Sequence, residues 1–227
     1  MPGLFTVAYE VCRKDLKIEA RTREIATTGT FFAVLVAILA SIAFYIDDPK
    51  AKPWLGAGTI WISVFFASAL SFGRVWQRER EESALVGLLV APIPRAGIFL
   101  GKTVGVVAIV TAVEVVVVAV VGLLFSIDVA PLALPLGGLL LLGTIAIAAI
   151  GTLFGVMTVR TRARDLVLAS VLFPLLSPVL MTGAKGTREL FVGAPLSEMR
   201  DYFVLLGAFD VVALAFGIAL FGALVED

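Results

Sequence analysis

Six apolar runs, each long enough to cross a bilayer, constrain the fold of this chain more than any other feature. Crossing a hydrocarbon core as an α-helix takes roughly 20 apolar residues. The runs lie at Ile25–Ile46, Trp54–Phe72, Thr103–Ile127, Leu136–Val159, Leu166–Ala184 and Tyr202–Val225. Because backbone groups in lipid must be hydrogen-bonded within the segment, we expect an all-α membrane protein with six transmembrane helices. No linker divides the 227 residues, so one domain is predicted over 1–227.

The distribution of positive charge predicts the orientation of these helices. With the N terminus inside, the inner segments carry 13 Lys and Arg residues and the outer segments carry 5. Cytoplasmic segments are enriched in these residues, so both termini should be cytoplasmic. The first run follows about twenty mixed residues and is too long for a signal peptide, so we predict no cleavable signal. The single Cys12 excludes an internal disulfide.

Residues 1–24 predict an amphipathic helix before the first span. Leu4, Ala8, Cys12 and Leu16 recur every four residues, and basic residues occupy much of the remaining surface. A helix of this kind lies in the headgroup plane, with its basic face drawn to anionic lipid. We therefore expect an N-terminal interfacial helix on the cytoplasmic side of the bilayer.

The segment between the second and third runs is the strongest functional signal. Arg78 and Glu82 are spaced i, i+4 on a predicted helix, and three leucines follow on an apolar stripe before two prolines end it. Leucines aimed at water are unfavourable, whereas docking into the groove of a partner protein explains them. The candidate coupling-helix residues are Arg78, Glu81, Glu82, Leu85, Leu88, Leu89, Pro92 and Arg95.

Other features of the sequence argue against catalysis. Histidine is absent, which removes the commonest general base and metal ligand. Residues Ala96–Thr103 resemble a P-loop but lack its first glycine and precede a membrane span rather than a soluble helix. Lys102 is better explained as a charge that extends to the membrane boundary. We expect no catalytic residue, no directly bound cofactor, no metal and no nucleic-acid partner.

Two acids, Glu114 and Asp210, lie inside predicted spans. An ionised residue at mid-bilayer costs roughly 2.5–3.5 kcal/mol on insertion scales, so each should face the bundle interior. They either form part of a proton or substrate path, or are protonated or hydrogen-bonded to a neighbouring helix. The second interpretation is favoured for both residues.

Further signals concern packing and the outer connections. The glycine pairs at 101/105 and 151/155 have the four-residue spacing that lets helices approach closely. Pro174 and Pro178 should kink the fifth span. Lys185–Asp201 is expected to be an outer connection, either a simple loop or a short interfacial element. The dispersed tryptophans are expected to be interface anchors.

Several of these residues carry a resemblance to a known family. Arg80–Glu82, Leu85, Leu88–Leu89, Pro92, Pro94–Arg95 and Gly101–Lys102 resemble the cytoplasmic loop of ABC-2 type permeases, where it forms a coupling helix seated in the nucleotide-binding subunit. Within that superfamily, Arg13–Glu24, Phe173–Pro178 and Ala208–Asp210 are similar to the CcmB (haem exporter protein B) family of the cytochrome c maturation system. Ser83 and Val86 depart from the family pattern, in which Gly and often an acid are expected.

The resemblance implies a non-catalytic permease subunit in the inner membrane of a bacterium. Its partners would be a CcmA-like ATPase that binds ATP, CcmC-like and CcmD-like membrane subunits, a CcmE-like haem chaperone and the lipid bilayer, and a homodimer is also compatible. ATP hydrolysis would be coupled to haem export or to release of the haem-loaded chaperone, with haem handled by the partner subunits. Three alternatives stay open: an ABC-2 exporter of a lipid, polysaccharide or drug, a proton-linked carrier using Glu114 and Asp210, and a purely structural assembly subunit.

Overall fold

The computed structural model describes residues 3–44, 50–81, 92–160 and 171–226, without the side chains of 77–81, 157–160 and 225–226. Within these ranges the chain forms seven α-helices and no strand, as predicted. They are α1 Leu4–Thr22, α2 Glu24–Ala43, α3 Lys52–Glu81, α4 Arg95–Phe125, α5 Ala133–Arg160, α6 Phe173–Phe191 and α7 Arg200–Glu226.

Five of the described helices, α2, α3, α4, α5 and α7, are long and apolar enough to cross a membrane. The chain is therefore a multi-pass membrane protein. Their bounds follow the apolar runs closely for α2, α5 and α7. The fifth predicted span, at Leu166–Ala184, begins in residues 166–170, which lie outside the described ranges, and its later part lies in α6.

Helices α3 and α4 extend well beyond their predicted spans. The span predicted to end at Phe72 continues as one helix through the charged cluster to Glu81. Helix α4 begins at Arg95 rather than Thr103, directly after Pro94, whose ψ of 124° is extended. Both extensions leave the apolar run, and each carries buried side chains: Val75 and Trp76 in the first, Ile98 and Phe99 in the second. Residues 82–94, which connect the two helices, are called the elbow here; residues 82–91 of it lie outside the described residues.

Helix α6 differs from the predicted fifth span. It runs to Phe191, so Lys185–Phe191 is helical rather than part of a loop. This last stretch is fixed to α3, because Trp61 Nε1 donates a hydrogen bond to Thr187 Oγ1 at 2.8 Å and the Arg188 guanidinium lies 3.5 Å from the centre of the Trp54 ring. Pro174 falls in the first turn, where its missing N–H costs little, so only Pro178 lies within the helix.

Large aromatic side chains of α3 fill glycine positions of α5 along the core. Trp61 packs on Gly143, Phe72 on Gly151 and Trp76 on Gly155. A Cβ at any of these glycines would overlap the ring. Gly151 and Gly155 therefore make room for aromatic rings rather than for a second backbone. The prediction that Trp61 and Trp76 are anchors at the membrane–water interface is wrong, since both are buried in the protein. Trp54 is 56% exposed, as an interface anchor would be.

Candidate coupling site at the elbow

The structure places the predicted coupling residues unevenly. Arg78 and Glu81 lie in the final turns of α3, with side chains outside the described set. Pro92 is exposed, and Arg95 opens α4 with its aliphatic stem beside Gly222 of α7. The remaining four residues, Glu82, Leu85, Leu88 and Leu89, lie outside the described residues.

Both arms of the elbow lead into one apolar cluster, which we call the elbow cluster. Trp76 contributes from the α3 arm and Phe99 from the α4 arm, and their rings lie 6.4 Å and 5.7 Å from the Phe221 ring of α7. The members of the cluster come from five helices: Val7, Val11, Trp76, Ile98, Phe99, Ala149, Val156, Ala213 and Phe221. Protein interiors are close-packed and transmit strain, so a displacement of either arm is felt by α5 and α7.

Helix α1 lies along the start of α4, in a groove made by three glycines at four-residue spacing. Gly97 faces Val7 and Leu4, Gly101 faces Ala8 and Val11, and Gly105 faces Asp15. A Cβ at position 101 would come within 2.6 Å of the Ala8 carbonyl oxygen, so the two backbones are in close contact there. The predicted close approach at the 101/105 pair is confirmed, and Val7 and Val11 of the amphipathic helix are buried against protein.

A buried ion pair secures the same contact. Lys102 Nζ lies 2.8 Å from Asp15 Oδ2, and the lysine side chain is 1% exposed. The ammonium also lies 6.0 Å from the centre of the Trp76 ring, within cation–π range. The prediction that Lys102 extends to the membrane boundary is wrong, because α1 covers it and provides the counter-charge. One cation thus joins α1, α3 and α4 behind the elbow.

Two further acids organise the start of α2 near the same end of the bundle. Glu19 is buried, and its Oε1 accepts a hydrogen bond from the Ala26 amide at 2.8 Å, which satisfies a free N–H at the start of α2. Glu24 Oε1 accepts a hydrogen bond from Arg74 at 2.9 Å, with both side chains about half exposed. The second contact ties α2 to the extended part of α3.

The single cysteine lies on α1 beside this site. Partial burial is the main cause that raises the pKa of the Cys12 thiol above its usual value, and the nearby Asp15 carboxylate raises it further. The thiolate, the nucleophilic form of cysteine, is therefore disfavoured at neutral pH. Cys12 is therefore a partly buried packing residue, and its reactivity indicates whether α1 is packed against the protein.

The two predicted intramembrane acids have different surroundings. Glu114 of α4 is buried and accepts a hydrogen bond from the hydroxyl of Thr144 on α5, which confirms the expected tie to a neighbouring helix. Asp210 of α7 is 6% exposed, and neither of its carboxyl oxygens has a hydrogen-bond partner among the described residues. The sequence analysis did not identify Thr144, Asp15 or the place of Trp76 in the elbow cluster. For Thr144 and Asp15, the only signal in the sequence was a hydroxyl or a carboxyl at a suitable depth in another helix.

Comparison with known proteins assigns the chain to a family. The family model described as CcmB protein matches residues 6–226. The chain belongs to the CcmB family. The match includes the glycine groove, residues 82–94 and both intramembrane acids.

Individual CcmB relatives are similar over nearly their whole length. Heme exporter protein B of Bradyrhizobium diazoefficiens is 27% identical over 213 residues, covering 93% of this chain and 94% of the relative. The protein of the same name from Rhodobacter capsulatus is 30% identical over 192 residues, covering 82% and 86%. That from Paracoccus denitrificans is 28% identical over 204 residues, covering 89% and 90%. These relatives are bacterial, which indicates a multi-pass protein of a bacterial membrane.

Proposed function

We propose that this CcmB family member is the membrane permease subunit of a haem-export complex in cytochrome c maturation, and that a separate ATP-hydrolysing subunit drives it through the elbow. Membership of the family and the shared name of the relatives, Heme exporter protein B, support the first part. The geometry around residues 82–94 supports the second.

The contact of both elbow arms with Phe221 is the observation that carries the coupling proposal. Trp76 and Phe99 lie on opposite sides of the elbow in sequence but pack against the same ring. A partner that moves the elbow therefore shifts two rings at once against α7, while Trp76 shifts against Gly155 of α5. Cores of this density change between discrete packings rather than deform continuously, so such a push favours a second arrangement of the helices.

The ion pair extends this movement to the N terminus. Breaking a buried pair of this kind costs about 3–5 kcal/mol, so α1 and α4 should stay joined while the elbow moves. Helix α1 would then travel with α4 as one body. This proposal gives the amphipathic helix a mechanical role in addition to its predicted contact with the membrane surface.

The paths of the helices support six crossings with both termini on one side. Val156 near the end of α5 and Phe221 near the end of α7 both belong to the elbow cluster. The start of α7 lies one membrane-length helix away from Phe221, which favours one more crossing between α5 and α7. Val7 lies in the same cluster, which supports the proposal that both termini are on the side of the elbow. The excess of Lys and Arg in the inner segments favours the cytoplasm for that side.

No chemistry is assigned to this subunit itself. ATP would be bound and hydrolysed by a CcmA-like partner that grips Leu85, Leu88 and Leu89. CcmC-like and CcmD-like membrane subunits and a CcmE-like chaperone would handle haem, and the present chain would convert the ATPase stroke into a change of helix packing. Pairing with a second copy of this chain is compatible with that role.

Substitution at the elbow tests this proposal. Leu88→Asp and Leu89→Asp place a charge on the proposed docking stripe and should abolish co-purification of the ATPase, together with release of the haem-loaded chaperone. Leu88→Met, which conserves volume and polarity, should retain both. Undiminished ATPase binding and chaperone release in the Asp variants would contradict docking at the elbow.

A further inference from the structure

A cleft between α4 and α5 contains the Glu114 carboxyl and lies apart from the elbow. Its volume is about 290 Å³. The polar lining comes from Glu114 and Thr111, while the walls are formed by small and branched apolar residues: Val115, Val118, Ala119, Val129, Ala130, Ala133, Leu136, Gly137 and Leu140. The cleft begins near the middle of α4 and extends to the α4–α5 connection.

One of the two polar groups in the cleft, Thr111, has spare hydrogen-bonding capacity. Glu114 is 3% exposed, and one of its oxygens accepts the Thr144 hydroxyl. The Thr111 hydroxyl oxygen is buried and has no hydrogen-bond partner among the described residues. A carboxyl at this depth with a neighbouring unpartnered hydroxyl favours an additional donor, and an ionisable residue inside a span indicates a functional site.

The length of the cleft favours an elongated occupant. From Thr111 to Ala119 a helix rises about 12 Å (eight steps of ~1.5 Å), and the lining continues past Ala119 to the α4–α5 connection. Gly137 on the wall has no atom within 4 Å of where its Cβ would lie, so the space beside it is open.

We propose that this cleft binds a lipophilic amine, with its ammonium group on Glu114 and its hydrocarbon body between α4 and α5. An ammonium group supplies both a hydrogen-bond donor and the counter-charge that a carboxylate in lipid requires. The apolar walls desolvate the hydrocarbon, and the small side chains at 119, 130, 133 and 137 leave the space that it occupies. The site depends on neither the elbow nor an ATPase, so it can be tested independently of the proposed function.

Photolabelling of the full-length protein in phosphatidylcholine vesicles, which contain no primary amine, tests this site. The probe is a long-chain primary amine with a diazirine in its alkyl chain, and the matched neutral probe carries a methyl ester in place of the amine. We expect saturable labelling by the amine probe on the segments around Val115 and Gly137, with competition by unlabelled alkylamine. Labelling that is not saturable, or that falls elsewhere in the chain, overturns the proposal.

Three variants make the result specific. Gly137→Leu, whose Cβ would meet no atom within 4 Å, places a bulky side chain in the cleft and should lower amine labelling about tenfold or more. Gly207→Leu on α7, whose Cβ is equally free, should leave labelling unchanged. Glu114→Gln should weaken binding of the amine about tenfold and leave the neutral probe unaffected. Equal labelling in the wild type and Gly137→Leu, or cross-linking of the cleft to another subunit in native membranes with no amine labelling, refutes the assignment.

Discussion

The Lys102 ammonium lies 2.8 Å from the Asp15 carboxylate, in a position where the lysine side chain is only 1% exposed. This contact joins the N-terminal helix to the first turns of α4, directly behind the elbow. Transfer of two charges out of water is costly, and the pair offsets that cost only while both partners are present. The attachment of α1 therefore depends on this ion pair as well as on the glycine groove.

Replacement of Asp15 by Asn should weaken this attachment. The buried Lys102 would lose the Asp15 carboxylate, so we expect a loss of stability of about 3 kcal/mol, measured as a lower thermal unfolding temperature of the purified protein. The double variant Asp15→Leu/Lys102→Met, which removes both charges, should recover most of the loss. If Asp15→Asn unfolded at the wild-type temperature, the pair would have no structural importance.

A methyl group at position 101 should separate α1 from α4. In Gly101→Ala the new Cβ would lie 2.6 Å from the Ala8 carbonyl oxygen, and backbone cannot give way cheaply. Overpacking of this kind costs about 1–3 kcal/mol, measurable as a lower unfolding temperature and as faster proteolysis of α1. Gly207→Ala is the matched control, because its Cβ meets no atom within 4 Å and the change raises helix propensity. Equal stability of the two variants would contradict the close approach.

Loss of the Trp76 ring should leave docking of the ATPase intact but weaken the transmission of its movement to α7. Trp76→Ala leaves a cavity between Gly155 and Phe221, and such large-to-small changes in a core typically cost about 3–5 kcal/mol. We expect the ATPase to co-purify normally while chaperone release falls, since the docking stripe is intact but its link to α7 is lost. Phe5→Ala, at a side chain that is 83% exposed, should affect neither measurement.

The reactivity of Cys12 should follow its raised pKa. Burial disfavours the thiolate, so the rate of alkylation by iodoacetamide should still be rising at pH values above 9.0, the ordinary value, and should level off at lower pH in denatured protein. Because the folded-state pKa is raised, the thiol stabilises the fold below the unfolded pKa, and this contribution is lost as the pH rises through the folded value. Asp15→Asn removes one cause of the shift and should move the labelling curve to lower pH. An unchanged curve in that variant would argue against the assigned contribution of Asp15.

The membrane helices were predictable because lipid itself sets their length. The runs at Ile25–Ile46, Leu136–Val159 and Tyr202–Val225 lie within a few residues of the helices found. The bounds of α3 and α4 could not be predicted in this way, since their extensions to Glu81 and from Arg95 lie outside the apolar runs. What stabilises those extensions is packing in the elbow cluster, which depends on contacts between distant parts of the chain.

The candidate site was less accessible to sequence reasoning than the fold. Lys102 was predicted to reach the membrane boundary because nothing local indicates that Asp15, one of three acids on α1, will lie against it. Trp76 was predicted to be an interface anchor because the tryptophans of this chain are dispersed, yet Gly155 gives its ring a place in the core. The docking segment with Leu88 and Leu89 lies outside the described residues, and its role stays a prediction.

The glycine groove has a consequence for biosynthesis. Helix α1 is made before α2, α3 and α4, but its seat at Gly97, Gly101 and Gly105 does not exist until α2 and α3 have been made and α4 has followed them. Helix α1 therefore reaches its final position later than its place in the chain order suggests. Until then the basic, amphipathic surface of α1 can bind the anionic leaflet. Once α4 is present, the Lys102 ammonium attracts Asp15 and favours docking of α1.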